Sequence, residues 1–180
     1  MQCYVVVFDR GGNVFVARKN IQGRKFDGVQ TKPSFLNYGG QVVFPGGKFK
    51  KGELQDEALR EFQEETDVNL KQYIDGNKMN TVNFGDFSAT YCFIDDDFRE
   101  ALVKNTNRNV FFGDTLDDEL DQLDFLSFEK AYDALSAWDS SLTTPQAEHA
   151  LLKRSVWSMD KSWFQQIMDY LKSNFYSLMS

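Results

Sequence analysis

The sequence predicts an α/β domain built on a mixed β-sheet. Three observations point to it: alternating apolar strands around a glycine turn at the amino terminus, a strand end that passes through Pro45-Gly46-Gly47 into an amphipathic helix, and a last third with helical periodicity. The 180 residues suffice for a single domain, 1–180, with a helical carboxy-terminal part from about residue 128.

Gln2 to Asp9 reads as a buried strand, Arg10-Gly11-Gly12-Asn13 as a hairpin turn, and Val14 to Arg18 as its partner, with Val14 and Val16 on one face and Phe15 and Ala17 on the other. Lys19 to Gly40 is long for a connection and is punctuated by Gly23, Gly28 and Pro33. Arg18, Lys19, Arg24, Lys25 and Lys32 give it a basic excess, serving either as solvated loop charge or as phosphate contacts.

Gln41 to Phe44 is a strand end, broken at Pro45-Gly46-Gly47 because proline removes a ladder donor and glycine opens backbone angles closed to other residues. Leu54 to Asp67 then holds helix formers and neither Gly nor Pro. At 100° per residue Leu59, Phe62 and Thr66 share one side, a narrow stripe to pack on a sheet. Glu61, Glu64 and Glu65 share the opposite side, with Glu57 one turn earlier.

Val68 to Ile74 and Thr81 to Ile94 read as strands around an Asp75-Gly76-Asn77 turn. Residues 95–118 read as irregular and polar, Leu120 to Leu126 leads into a helix over Phe128 to Ala137, and Pro145 after a Thr144 cap starts another to about Met159. Phe164, Ile167, Met168, Leu171, Phe175 and Leu178 form the apolar stripe of a final helix, which packs on the sheet or on a second copy in a homodimer. The one histidine, His149, falls in a predicted helix and is expected to be structural or exposed. A Ser/His/Asp or zinc hydrolase scheme is therefore unsupported.

Carboxylates at i, i+3 and i+4 repel by roughly 0.2–0.5 kcal/mol per pair on an open helix. In a cleft two unit charges about 4 Å apart cost ~4 kcal/mol at an effective dielectric of 20. Such a cluster is either a solvated acidic face or a cation site. All-oxygen donors suit a hard ion, Mg²⁺ or Mn²⁺, rather than Zn²⁺.

These residues resemble the Nudix hydrolase signature. The chain has Gly47, five residues, Glu53, six residues where the signature has seven, then Arg60-Glu61-Phe62-Gln63-Glu64-Glu65-Thr66-Asp67-Val68, with Asp67 in place of glycine. Asp tolerates the left-handed angle of a helix C-cap better than most residues. The missing residue is either absorbed in the loop from Gly52 to Gln55, keeping Glu53 beside Arg60, or the helix starts early, moving Glu53 away and leaving Glu57 to serve. We expect the first.

The resemblance runs from Tyr4 to about Leu135 and implies a Nudix-like αβα sandwich with a mixed sheet and carboxy-terminal helices. It implies metal-dependent hydrolysis of a nucleoside diphosphate linked to another group, with Gly47, Glu61, Glu64 and Glu65 on the metal and Arg60 and Glu53 supporting them. An acid in a late loop completes the site in such enzymes. Glu119 matches best by its place before Leu123-Asp124-Phe125-Leu126, and Asp117 and Asp118 are adjacent. The rival reading is a Nudix-fold module that binds nucleotide without turnover.

Composition narrows the partners. A net charge of −7 and a pI near 4.7 argue against a nucleic-acid polymer, yet a metal site can supply the local positive charge that a small nucleotide needs. The 17 Phe suggest a phenylalanine-filled core, with one or two free to stack on a ligand's base. Cys3 and Cys92 lack metal or disulfide spacing and are expected as buried thiols. With no signal peptide or membrane span visible, the expectation is a soluble cytoplasmic protein.

Overall fold

The computed structural model describes residues 1–26, 31–36, 38–113, 115–142, 144 and 154–180. The described strands join in one curled mixed sheet around β1 (Gln2–Phe8). β1 pairs in parallel with β7 (Phe87–Phe93), from Gln2 opposite Phe87 to Phe8 opposite Phe93. Its other partners are antiparallel: β2 (Asn13–Phe26) through the predicted hairpin, and β5 (Gly46–Lys48). β2 also carries β3 (Thr31–Phe35), β4 (Val42–Val43) and β8 (Asp118–Ser127), and β6 (Met79–Asn83) lies on the far side of β7.

Every residue of β1 after Gln2 is buried, as a continuous apolar run requires when helices cover both faces. Tyr4 and Phe8 point to one face, where they meet Phe164 of α4 (Arg154–Ser173) at 5.2 Å and Phe175 of the short α5 (Phe175–Leu178) at 5.9 Å. Cys3 points to the other, towards α1 (Leu54–Thr66), and burial first, then the charges of Glu57 and Glu61, push its thiol pKa up. α2 (Asp96–Phe112) packs beside α1, and α3 (Phe128–Ser136) beside α4, completing the αβα layers. Cys3 and Cys92 are buried free thiols.

Several predicted elements differ. The segment from Lys19 to Gly40 is not a connection but mostly β2 and β3, which continue the sheet as a hairpin. Gly46 and Gly47 form β5 rather than a free turn. Val68 to Ile74 is no strand: a 3₁₀ turn over Leu70–Gln72, opened by Asn69 capping the Lys71 N–H, takes its place. Thr81 to Ile94 is divided into the β6–β7 hairpin. Residues 96–112, expected to be irregular, form the long α2, which buries only Leu102, Thr106 and Val110, one residue per turn. The predicted helix start at Pro145 and His149 lie outside the described residues.

Candidate active site

α1 positions the acids. Leu59, Phe62 and Thr66 are buried against the sheet, as the wheel predicts, with Phe62 against Phe15 at 6.4 Å. Asp67 takes the left-handed C-cap at φ 52°, and its N–H donates to Gln63 O at 2.8 Å. A helix leaves its last four carbonyls without intrahelical partners. Here the Asp117 N–H donates to Glu64 O at 3.0 Å and Asn109 Nδ2 donates to Thr66 O at 3.1 Å, so α2 and the loop after it dock on this end.

The first of these contacts brings Asp117 to the glutamates. Carboxylate oxygens of Glu61, Glu64 and Asp117 lie within 4.8 Å of one another. Gly47 passes directly beneath Glu61, where a Cβ would push the carboxylate from its place. Glu65 points to β5 as well, accepting from the Gly46 N–H at 2.9 Å. Its burial, and then the charge of Glu119, raise its pKa well above the ordinary glutamate value.

Arg60 sits among three carboxylates. It donates from Nε to Glu57 at 3.0 Å, from Nη1 to Glu64 at 2.5 Å and from Nη2 to Glu61. Glu57 also accepts from the Lys50 N–H at 2.8 Å, and the Arg60 hydrogen bond leads in pulling its pKa down to about 2. Glu61 is shifted the other way, raised by burial against the pull of Arg60. One guanidinium thus faces Glu57, Glu61 and Glu64, with Asp117 adding a further carboxylate.

The sequence expectation for Glu53 is not met. It is the exposed N-cap of α1 and makes no capping hydrogen bond, whereas the arginine's partner is Glu57. With the helix starting at Leu54, Glu53 lies seven residues before Arg60, about 10 Å along the axis, out of reach. α1 spans the predicted Leu54–Thr66, and within it Glu57 rather than Glu53 meets Arg60. The late-loop acids divide too: Asp117 joins Glu61 and Glu64, while Glu119 pairs with Lys19 at 3.1 Å.

Glu61, Glu64, Glu65, Asp117 and Glu119 line one cleft of about 480 Å³, within the range of roughly 300–1,000 Å³ usual for small-molecule sites. Lys19, Lys48 and Lys50 line it too, so the predicted basic segment reaches the site at least through Lys19. Tyr4, Phe44, Trp163 and Phe164 form its aromatic wall.

A NUDIX domain family model matches residues 2–145. The chain belongs to the Nudix family. It is therefore, at family level, a Nudix-type pyrophosphohydrolase acting on small nucleotides. No curated protein matches the chain significantly. Similar solved structures include the Ap4A hydrolase of C. elegans in a binary complex, 15% identical over 84% of this chain and 96% of that one, with a TM-score of 0.42. A mutT/nudix family protein of Listeria innocua is 13% identical over 94% of each chain at TM-score 0.45. The MutT protein of Methanosarcina mazei Go1 is 14% identical over 92% of this chain and 91% of that one, at TM-score 0.37. At such scores these likenesses carry no weight beyond the family match. No described helix is long and apolar enough to cross a membrane.

Proposed function

We propose that this Nudix chain cleaves the pyrophosphate bond of a nucleoside diphosphate linked to another group, and that it uses Mg²⁺ or Mn²⁺ to do so. The observation that carries the reading is the convergence of Glu61, Glu64 and Asp117 within 4.8 Å in a cleft that lysines also line. The donors fit a hard divalent ion: all are carboxylate oxygens, and their charge exceeds that of Arg60. Glu61, Glu64 and Asp117 would hold it, with Glu65 and the Gly47 carbonyl beside them. A bound ion there supplies charge neutralisation at phosphoryl oxygens and lowers the pKa of a coordinated water.

The remaining residues have separate tasks in this reading. Lys19, Lys48 and Lys50 attract the phosphates. One of Glu65 and Glu119, which line the cleft outside the trio, receives the proton of the attacking water. Arg60, clamped by Glu57, keeps Glu61 and Glu64 in register.

The rival, a binding module without turnover, rests on the short spacing after Glu53, and Glu57 at Arg60 answers it. A panel of dinucleoside polyphosphates, nucleotide sugars and nucleoside triphosphates with Mg²⁺ and Mn²⁺, read by product chromatography, tests the proposal. Cleavage between phosphates is expected. Binding of these compounds without any cleavage would establish the module reading instead.

A further inference from the structure

The catalytic end of the cleft comes from residues within the family match, but part of its opposite wall comes from α4, outside it. Phe84 stacks on Phe87 with centroids 4.7 Å apart and planes 8° apart, and Phe87 stacks on Trp163 at 5.0 Å and 23°. Phe87, buried, thus stacks with both, and the three near-parallel rings make one continuous aromatic column of contacts. Trp163 ends it. Trp163 is half-buried and lines the cleft, and among the described residues no ring other than Phe87 lies against it.

Gln2 stands beside this column. It is the register partner of Phe87 on β7 and of Lys48 on β5, and register partners project to the same face of a sheet. The row Phe87, Gln2, Lys48 spans two strand spacings, about 10 Å, and ends on the edge strand β5, at the residue after Gly47. Gln2 and Lys48 both line the cleft, so an amide able to donate and accept lies between an aromatic platform and a cation.

We propose that Trp163 and Gln2 form the subsite for the planar heteroaromatic base of the substrate, the base continuing the Phe84–Phe87–Trp163 column and the Gln2 amide meeting its edge. This deepens the hydrolase reading and rests on it for the phosphate end alone. Base stacking on aromatic side chains tolerates any base, because each has a π-face, while a side-chain amide discriminates between base edges. Trp163 thus supplies affinity and Gln2 supplies preference. As a ground-state contact remote from the reacting phosphorus, the column acts on KM rather than kcat.

The test is calorimetric titration of the full chain with adenosine 5′-monophosphate in the presence of chelator, for wild type, Trp163→Leu and Trp163→Phe. Wild type binds, Trp163→Leu weakens binding about tenfold or more, and Trp163→Phe, which keeps a ring, recovers most of it. In turnover assays Trp163→Leu raises KM for a nucleoside diphosphate derivative and leaves KM for an alkyl diphosphate unchanged. Equal affinity of wild type and Trp163→Leu, no binding by wild type, or equal KM changes with both substrates would overturn the subsite. Binding through Trp163 without cleavage of any diphosphate-linked nucleotide would sink the hydrolase reading and leave the subsite standing.

Discussion

Among the described residues two arginines bind buried carboxylates, and they differ in how many acids they hold. Arg99 meets one acid: it donates to Asp9 at 2.6 Å, and Asp9, fully buried, accepts also from the Asn13 N–H at 2.9 Å and from Asn13 Nδ2. The carboxylate's acceptors are engaged, so this cluster pins the β1–β2 hairpin to α2, while Asp96 and Asp124 act on Arg99 only through space. Arg60 meets Glu57, Glu61 and Glu64 together, with Asp117 beside them. Its cluster is short of positive charge, and it faces a cleft. A fully hydrogen-bonded pair holds a fold, whereas several acids crowded on one arginine and held in place by packing are poised to take a cation.

The most severe way to separate the two is to neutralise one acid in each. Glu64→Gln is expected to lower kcat by 10²-fold or more, about 2.7 kcal/mol, with the melting temperature without metal unchanged or higher. Asp9→Ala is expected to do the reverse, costing about 1–3 kcal/mol of stability while the folded fraction keeps its kcat. Loss of activity in both, or in neither, would break the comparison; thermal melts and initial rates decide it.

Metal sharpens it next. Mg²⁺ or Mn²⁺ at a hundred times its dissociation constant should stabilise the wild type by about 2.7 kcal/mol, with chelator reversing the shift. Asp9→Ala should show the same increment and Glu64→Gln much less. An unshifted wild-type melt at millimolar metal counts against the trio as ligands.

A smaller effect distinguishes the arginine's partner. Glu57→Gln is expected to reduce kcat/KM about tenfold, about 1.4 kcal/mol, by releasing Arg60, and Glu53→Gln to leave it within about twofold. The opposite ranking, measured under identical conditions, would restore Glu53 to the site.

How far the sequence reveals these clusters follows from spacing. The wheel of α1 places Leu59, Phe62 and Thr66 against the sheet and the glutamates in the cleft, because a single period governs all six residues. Glu57 beside Arg60 also follows from helical spacing, and it is obscured by the signature, whose loop glutamate directs attention to Glu53. Asp117 depends on a tertiary bond to Glu64 that no local pattern encodes. α2 is hidden for a different reason: Asn107 and Asn109, poor helix formers, spend their amides on Leu123 and Thr66 backbone, so the features that argue against a helix are its docking contacts.

The mildest test is pH. Glu57 titrates at about 2 in the fold against 4.5 ordinarily, so its stabilising contribution is complete above about 4.5 and is lost as pH falls towards 2. Glu65 is raised, so its contribution is present at low pH and is lost as pH rises through its elevated value. Acid melts should therefore lose part of their slope in Glu57→Gln, while Glu65→Gln should melt higher than wild type at pH 7 without metal. Parallel curves for all three proteins would show that these charges do not contribute to stability as described.

The bond from the Asp117 N–H to the Glu64 carbonyl gives the loop after α2 a fixed length in genetic terms. One residue of the helix offers its carboxylate to the cluster and its carbonyl to the neighbour that carries the next carboxylate, so the two are measured against each other by a single peptide. Point changes at Thr115 or Leu116 leave that measure intact. Insertion of one codon between Thr115 and Leu116 does not, because it would set Leu116 where Asp117 belongs. Alleles of that kind should behave as losses of function in a protein that still folds.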